Sequence, residues 1–185
     1  MSVATISQPI LLELGQDRWD TFLDNVDTWL GNVLLTQASF RKLAEDTAGK
    51  IQDPRIKEQI VCIADTAKEH ERQVDALYHA IGRDPAHGRA ALGTVAAKGR
   101  EVVGAVTGLT GGAPGPWHDL RQMLLSNLDA MGAFAAVEQC GLALGLPDLA
   151  KIAFQVVRDK STHQLLIQEY MLEMAPLSIL YNESI

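Results

Sequence analysis

Apolar residues recur every three to four positions along most of the chain, a spacing typical of amphipathic α-helices. The pattern predicts four long helices, over about residues 17–48, 54–81, 117–143 and 147–175. In the third helix the predicted buried stripe consists of Leu120, Leu124, Leu128, Met131, Ala135 and Leu142. No segment sustains the strict alternation of a half-buried strand, so the sequence predicts an all-α fold.

Turn residues and short connections predict how these helices are joined. Asp53 followed by Pro54 is typical of an N-cap and the first helical residue. Only a few residues separate the first helix from the second and the third from the fourth, so each pair should form an antiparallel hairpin. Residues 83–116 form a long Gly- and Ala-rich crossover, within which 92–109 are a candidate short helix. The prediction is a single domain over residues 1–185, a four-helix bundle of two hairpins joined by that crossover.

Composition and charge narrow the classes of function. The chain has 185 residues with 16 Lys and Arg against 23 Asp and Glu, a formal charge of −7, which disfavours nucleic-acid binding. No apolar run approaches the roughly 18–20 residues that cross a bilayer, so no membrane association is expected. Cys62 and Cys140 fit no metal-ligand spacing, and the amino-terminal residues lack a basic leader. We therefore expect a cytoplasmic protein.

Polar residues interrupt the apolar stripes near the middle of the predicted bundle. They are Gln37 on the first helix, His70 on the second, and Lys160 and His163 on the fourth. Burying such groups unpaired costs roughly 2–7 kcal/mol each, so they should meet one another, water or a ligand. Counting from the hairpin turns predicts that they share one layer with Met131 of the third helix, whereas Glu138 lies about two helical turns away.

The topology and this layer resemble the ferritin-like superfamily, and within it the YciE/YciF-type bacterial stress proteins. The stretch DPRIKEQIVCIADTAKEHERQVDALYHAIGRDP is similar to the second helix of that group. The resemblance implies a stress-associated role in a bacterium and a dimer. It also implies a dimetal site with Glu on helix one, Glu-x-x-His on helix two, Glu on helix three and Glu-x-x-His on helix four.

Transferred residue by residue, that ligand set is incomplete in this chain. The four carboxylate positions fall on Gln37, Ala67, Met131 and Lys160, while both histidine positions are kept as His70 and His163. Two imidazoles and an amide cannot neutralise and bridge two hard cations. The sequence therefore predicts a degenerate metal site and no cofactor.

Two functional hypotheses follow. The first is a non-catalytic bundle that acts by self-association or partner binding, with the apolar segments Pro9–Leu12 and Leu177–Tyr181 as candidate contacts. The second is an atypical oxidase or iron-handling protein that binds iron or manganese through His70 and His163, with Asp159 or Glu138 as further ligands. Each polar residue also has a structural explanation, such as an amide that fixes helix register or a lysine that extends to the bundle edge. Enzymatic activity therefore stays open, although the missing carboxylates favour its absence.

Overall fold

The computed structural model describes residues 15–86 and 115–181, and these form four α-helices. The helices are α1 (Gln16–Lys50), α2 (Pro54–Ala80), α3 (Pro116–Leu144) and α4 (Pro147–Leu180). No strand occurs in either described range, and the predicted all-α fold is confirmed there. None of these four helices is long and apolar enough to cross a membrane. The candidate helix at 92–109 and the segment Pro9–Leu12 lie outside the described residues.

Local chemistry sets most helix boundaries close to the predicted ones. The Asp53 carboxylate accepts hydrogen bonds from the backbone N–H groups of Arg55 and Ile56, at 2.9 and 3.0 Å, and so caps α2. Gly145 ends α3 in the left-handed region with φ +67°, a conformation that glycine adopts at little cost. The predicted end of the fourth helix before Pro176 is wrong. The helix continues to Leu180 because Pro176 is exposed, so water can solvate the carbonyl that the proline leaves unpaired.

Adjacent helices run antiparallel. Lys50 at the end of α1 forms an ion pair with Asp119 at the start of α3, with 2.9 Å between Nζ and Oδ2. Further along the same pair, Trp29 donates from Nε1 to the backbone carbonyl of Ala133 at 3.1 Å. Helices α2 and α4 are likewise in contact, whereas α1 with α4 and α2 with α3 are diagonal. As a result α2 ends and α3 begins at opposite ends of the bundle.

The apolar core is divided into two clusters along the bundle axis. One cluster lies toward the α1–α2 turn and includes Phe40, Ile60 and Ile167. The other lies toward the α3–α4 turn and includes Leu30, Phe134 and Val156. Side chains from all four helices contribute to both clusters. The division leaves a layer of polar side chains between them.

Close packing of α3 against α4 depends on a glycine near their turn. A Cβ at Gly141 would lie 2.7 Å from the backbone nitrogen of Ala150 and 3.0 Å from its Cα. These are backbone atoms, so they cannot move aside as the end of a flexible side chain can. By contrast, Gly132 on the same helix has open space around it.

The stripe predicted for the third helix is wrong. The helix buries Pro116, Leu120, Met123, Asn127, Ala130, Ala133, Phe134, Val137 and Gly141. Only Leu120 belongs to both sets. Leu142, expected to be buried, is 61% exposed, and Met131 is only partly buried at the edge between α3 and α4. Apolar residues surround most of this helix, so the sequence alone offers several stripes of similar quality.

Candidate functional site: the central polar layer

Five buried polar side chains separate the two apolar clusters, and we call this set the central polar layer. Its members are Gln37 of α1, His70 of α2, Asn127 of α3, and Lys160 and His163 of α4. None is more than 8% exposed, and three of them are fully buried. The four residues that the sequence singled out are therefore all buried, and Asn127 joins them.

In the first hairpin an amide joins the two helices. Gln37 donates from Nε2 to the backbone carbonyl of Ala67 at 2.8 Å. His70 follows Ala67 by three residues, so the two lie on the same face of α2. Ala67 is the position at which the family resemblance implies a carboxylate, and its methyl group is fully buried.

The second hairpin repeats this arrangement. Asn127 donates from Nδ2 to the backbone carbonyl of Lys160 at 2.9 Å, and His163 follows Lys160 by three residues. Each hairpin thus contributes one amide, one helix carbonyl that accepts from it, and one histidine. On α3 the residue that makes the contact equivalent to that of Gln37 is Asn127, whereas Met131, which the sequence predicted for this layer, is only partly buried. Met131 instead lies beside Ser161, whose Oγ donates to its sulfur at 3.5 Å.

The two histidines face each other across the bundle. Their ring centroids are 6.0 Å apart and the planes are inclined by 35°. His70 Nε2 lies 3.3 Å from Asp159 Oδ2, and because an ionised carboxylate only accepts, Nε2 carries the proton of this bond. Burial and the nearby Lys160 lower the pKa of His70, although Asp159 opposes this change. Burial, then His70 and Lys160, lower the pKa of His163 to about 4.

Lys160 places an amine in the middle of the protein. The residue is fully buried, and its Nζ lies 4.1 Å from the centre of the Phe40 ring. No hydrogen-bond acceptor contacts this Nζ within the described chain. Burial lowers the pKa of Lys160 to about 7. The alternative in which this lysine extends to the bundle edge is therefore wrong, and its amine lies over an aromatic face.

The donor set does not fit two bridged metal ions. Across residues 15–86 and 115–181, no three His, Cys, Asp or Glu side chains converge as metal ligands. Among the residues that the structure describes, the carboxylate in contact with the layer is that of Asp159, whose side chain is 39% exposed and also lies 3.6 Å from Arg158. Glu138 follows Asn127 by eleven residues, which is roughly 16 Å along α3, so it is not positioned as a ligand. A lysine amine in this position would repel a cation when protonated.

A second concave feature lies away from the polar layer. Among the described residues, an apolar groove of about 520 Å³ runs between α1 and α3, lined by Phe22, Val26, Trp29, Ala136, Cys140 and Leu144. Its lining is mostly apolar, with Asn25 and the thiol of Cys140 as its polar side chains. The polar layer and the groove are therefore separate features.

Comparison with known proteins returned no relatives: no family model, no curated protein and no solved structure matches this chain. The site is therefore interpreted from its own chemistry. Sequence reasoning missed Asn127, yet one signal was present. Asn127 precedes Lys160 by 33 residues, much as Gln37 precedes Ala67 by 30, and in both hairpins a histidine follows three residues later.

Proposed function

We propose that the protein is a ferritin-like bundle that has lost its dimetal site, and that it acts without catalysis through association at its surface. The observation that carries the proposal is the fully buried amine of Lys160 at a position where the family resemblance implies a carboxylate. The two pseudo-equivalent hairpins and the antiparallel arrangement of adjacent helices support the ferritin-like assignment.

The electrostatics of the layer support the absence of a metal centre. Two divalent ions carry four positive charges, and iron and manganese sites of this class offset them with four carboxylates. Here the corresponding positions hold two amides, a methyl group and an amine. Within the described part of the chain, the carboxylate that contacts the layer is Asp159, and it lies at the partly exposed margin. Metal binding would leave most of the added charge uncompensated in a desolvated core.

Metal analysis of the purified full chain tests this proposal. We expect less than about one tenth of an equivalent of iron or manganese per chain after aerobic incubation with excess metal and desalting. The melting temperature should also stay unchanged on metal addition, because a ligand that binds the native state must stabilise it. Stoichiometric metal that is lost in the His70→Ala/His163→Ala variant would contradict the proposal and favour the iron-handling alternative.

A variant with restored carboxylates provides the positive control. It carries Gln37→Glu, Ala67→Glu, Asn127→Glu and Lys160→Glu while keeping both histidines. If the hairpins are equivalent as described, this variant should bind about two equivalents of metal and gain thermal stability from them. The same variant with Met131→Glu in place of Asn127→Glu should bind less metal, because Met131 lies at the edge of the bundle.

A further inference from the structure

The apolar groove between α1 and α3 has a wall of large side chains that is open to water. Phe22, Val26 and Trp29 line it from α1, and Ala136 and Cys140 line it from α3, around a volume of about 520 Å³. Trp29 is 40% exposed, even though its indole N–H donates a hydrogen bond to α3. A concave apolar surface of this kind is typical of a contact that another apolar group completes.

The groove lies at the end of the bundle where α1 begins. Helices α1 and α3 are antiparallel, and the hydrogen bond from Trp29 to Ala133 fixes their register. Phe22 comes seven residues before Trp29, and Cys140 comes seven residues after Ala133. Phe22 and Cys140 are therefore at the same level along the bundle axis. At 1.5 Å per residue, that level is roughly 10 Å along the helix from Gly15, the N-cap of α1.

Three segments lie outside the described residues, and the amino-terminal one enters the bundle at this groove. Residues 1–14 lead directly into Gly15 and so into the helix that lines the groove. Residues 87–114 begin beyond α2, and in the described part of the chain α2 contacts α1 and α4 but not α3. Helix α1 therefore lies between the start of that segment and the groove. Residues 182–185 follow α4, which ends at the opposite end of the bundle.

The composition of the amino-terminal residues matches the wall of the groove. Residues 9–12 are Pro, Ile, Leu and Leu, and residue 14 is a further leucine, so we call residues 9–14 the amino-terminal apolar segment. At roughly 3.3 Å per extended residue, Leu11 can lie up to about 13 Å from Gly15. This reach covers the level of Phe22 and Cys140. Burying these side chains against the apolar wall removes both surfaces from water, which favours the contact.

Charge at the open end of the groove is complementary to the same segment. Glu13 is the one charged side chain among residues 1–14. Arg18 is exposed and comes four residues before Phe22, so it lies on the face of α1 that borders the groove. The nearby acids Asp17 and Asp20 lie roughly 100° and 160° around the helix from Arg18. A carboxylate that follows the apolar residues back along α1 therefore meets a base.

We propose that the amino-terminal apolar segment docks into the groove between α1 and α3 of its own chain. The segment turns back at Gly15 and runs antiparallel to the first turns of α1, with its apolar side chains against Phe22, Trp29 and Cys140. The inference goes beyond the proposed function, because it concerns neither the polar layer nor a second protein. It assigns residues 9–12, which the sequence identified as a candidate contact with a partner, to a contact within the chain.

Disulfide trapping in the full chain tests the position of the segment, because Cys140 supplies a free thiol in the groove. In a Cys62→Ser background, Leu11→Cys should form a disulfide with Cys140 within one chain under mild oxidation, as mapped by peptide mass spectrometry. The matched control adds Ile10→Ser and Leu12→Ser to this chain, which keeps the tether length and removes the apolar neighbours. Pairing should then slow at least about 10-fold, because the effective concentration of the two thiols falls when the segment is not docked.

The reactivity of the native Cys140 thiol provides an independent measurement in the same background. A docked segment covers this thiol, so Ile10→Ser/Leu12→Ser should raise its rate of reaction with an uncharged maleimide at least about 5-fold. The control is Val3→Ser/Ile6→Ser, which makes the same chemical change outside the segment and should leave the rate unaltered. Circular dichroism checks that each variant keeps its helical content.

Three results would overturn the inference. The first is disulfide pairing that is as fast with the two serine changes as without them. The second is a Cys140 reaction rate that the serine changes do not alter, in which case residues 87–114 or another protein would be the occupant of the groove. The third is a disulfide between two chains instead of within one, which would place the segment on a second copy. Metal content is measured separately, so a failure here leaves the test of the proposed function unaffected.

Discussion

Replacing Lys160 by methionine should stabilise the protein, which is unusual for a change in a core. Methionine is unbranched and of similar length, so it fills the same space without a charge. Lowering the pKa of Lys160 from 10.5 to about 7 corresponds to roughly 5 kcal/mol, at about 1.4 kcal/mol for each pH unit. Attraction between the ammonium and the Phe40 ring, 4.1 Å away, offsets up to about 2 kcal/mol. We therefore expect Lys160→Met to raise the free energy of unfolding by about 3–5 kcal/mol at pH 6.

The pH dependence distinguishes this explanation from ordinary repacking. Below pH 7 the lysine is protonated in both the folded and unfolded states, so the folded state bears the full cost of the buried charge. Between pH 7 and 10.5 only the unfolded state holds the proton, so the stability of the wild-type chain rises with pH. The advantage of Lys160→Met should therefore shrink steadily across this interval.

Urea denaturation of the wild-type and Lys160→Met chains at intervals from pH 6 to pH 10 measures the difference in their free energies of unfolding. The comparison requires that the free energy of unfolding of both chains falls with urea concentration at the same slope. Lys151→Met is the matched control, because it removes an exposed lysine from the same helix and should change stability by less than about 0.5 kcal/mol. A Lys160→Met chain that is less stable than wild type at pH 6, or an advantage that does not vary with pH, would refute the reasoning.

Two further predictions concern the acid range and the helix contact. Burial lowers the pKa of His163 to about 4, so on acidification the unfolded state takes up this proton before the folded state does, and the stability of the wild-type chain should fall as the pH drops from 6.5 toward 4. In urea titrations His163→Gln should reduce this loss of stability by about 3 kcal/mol, and an unchanged loss would exclude His163 as its cause. Gly141→Ala should lower the free energy of unfolding by at least about 2 kcal/mol, because the new Cβ would meet the backbone of Ala150. Gly132→Ala should raise the free energy of unfolding by about 0.5–1 kcal/mol, and equal melting temperatures for the two variants would contradict the close approach of α3 and α4.

The sequence predicted the layer well where a helix has distinct apolar and polar faces. In α1 and α2 charged residues occupy the outer side, so the buried stripe and its polar interruptions, Gln37 and His70, are defined by spacing. In α3 the apolar residues extend around the helix, so spacing does not choose between Met131 and Asn127. The close packing of α3 against α4 determines that Asn127 rather than Met131 is buried. This contact between helices is not visible in the local sequence pattern.

A helical wheel does not predict two features of the layer, because they depend on the direction that a side chain takes in the packed structure. Asp159 precedes His163 by four residues, a spacing that places the two on neighbouring parts of one helix face. Asp159 does act on His163 electrostatically, and it also hydrogen-bonds His70 of the facing helix, because it lies at the margin of α4 that faces α2. Likewise the wheel identifies Lys160 as buried, but only the packed structure directs its amine to the ring of Phe40.

Charge balance connects the chemistry of the layer to the absence of a metal centre that we propose. Neutral histidines and amides contribute no net charge, the amine of Lys160 carries a positive charge when protonated, and Asp159 contacts His70 at the margin of the layer. Under the function that we propose, a bound cation would therefore add to a positive charge that the layer already buries. Converting it to a dimetal site needs a negative group at each of four positions, Gln37, Ala67, Asn127 and Lys160.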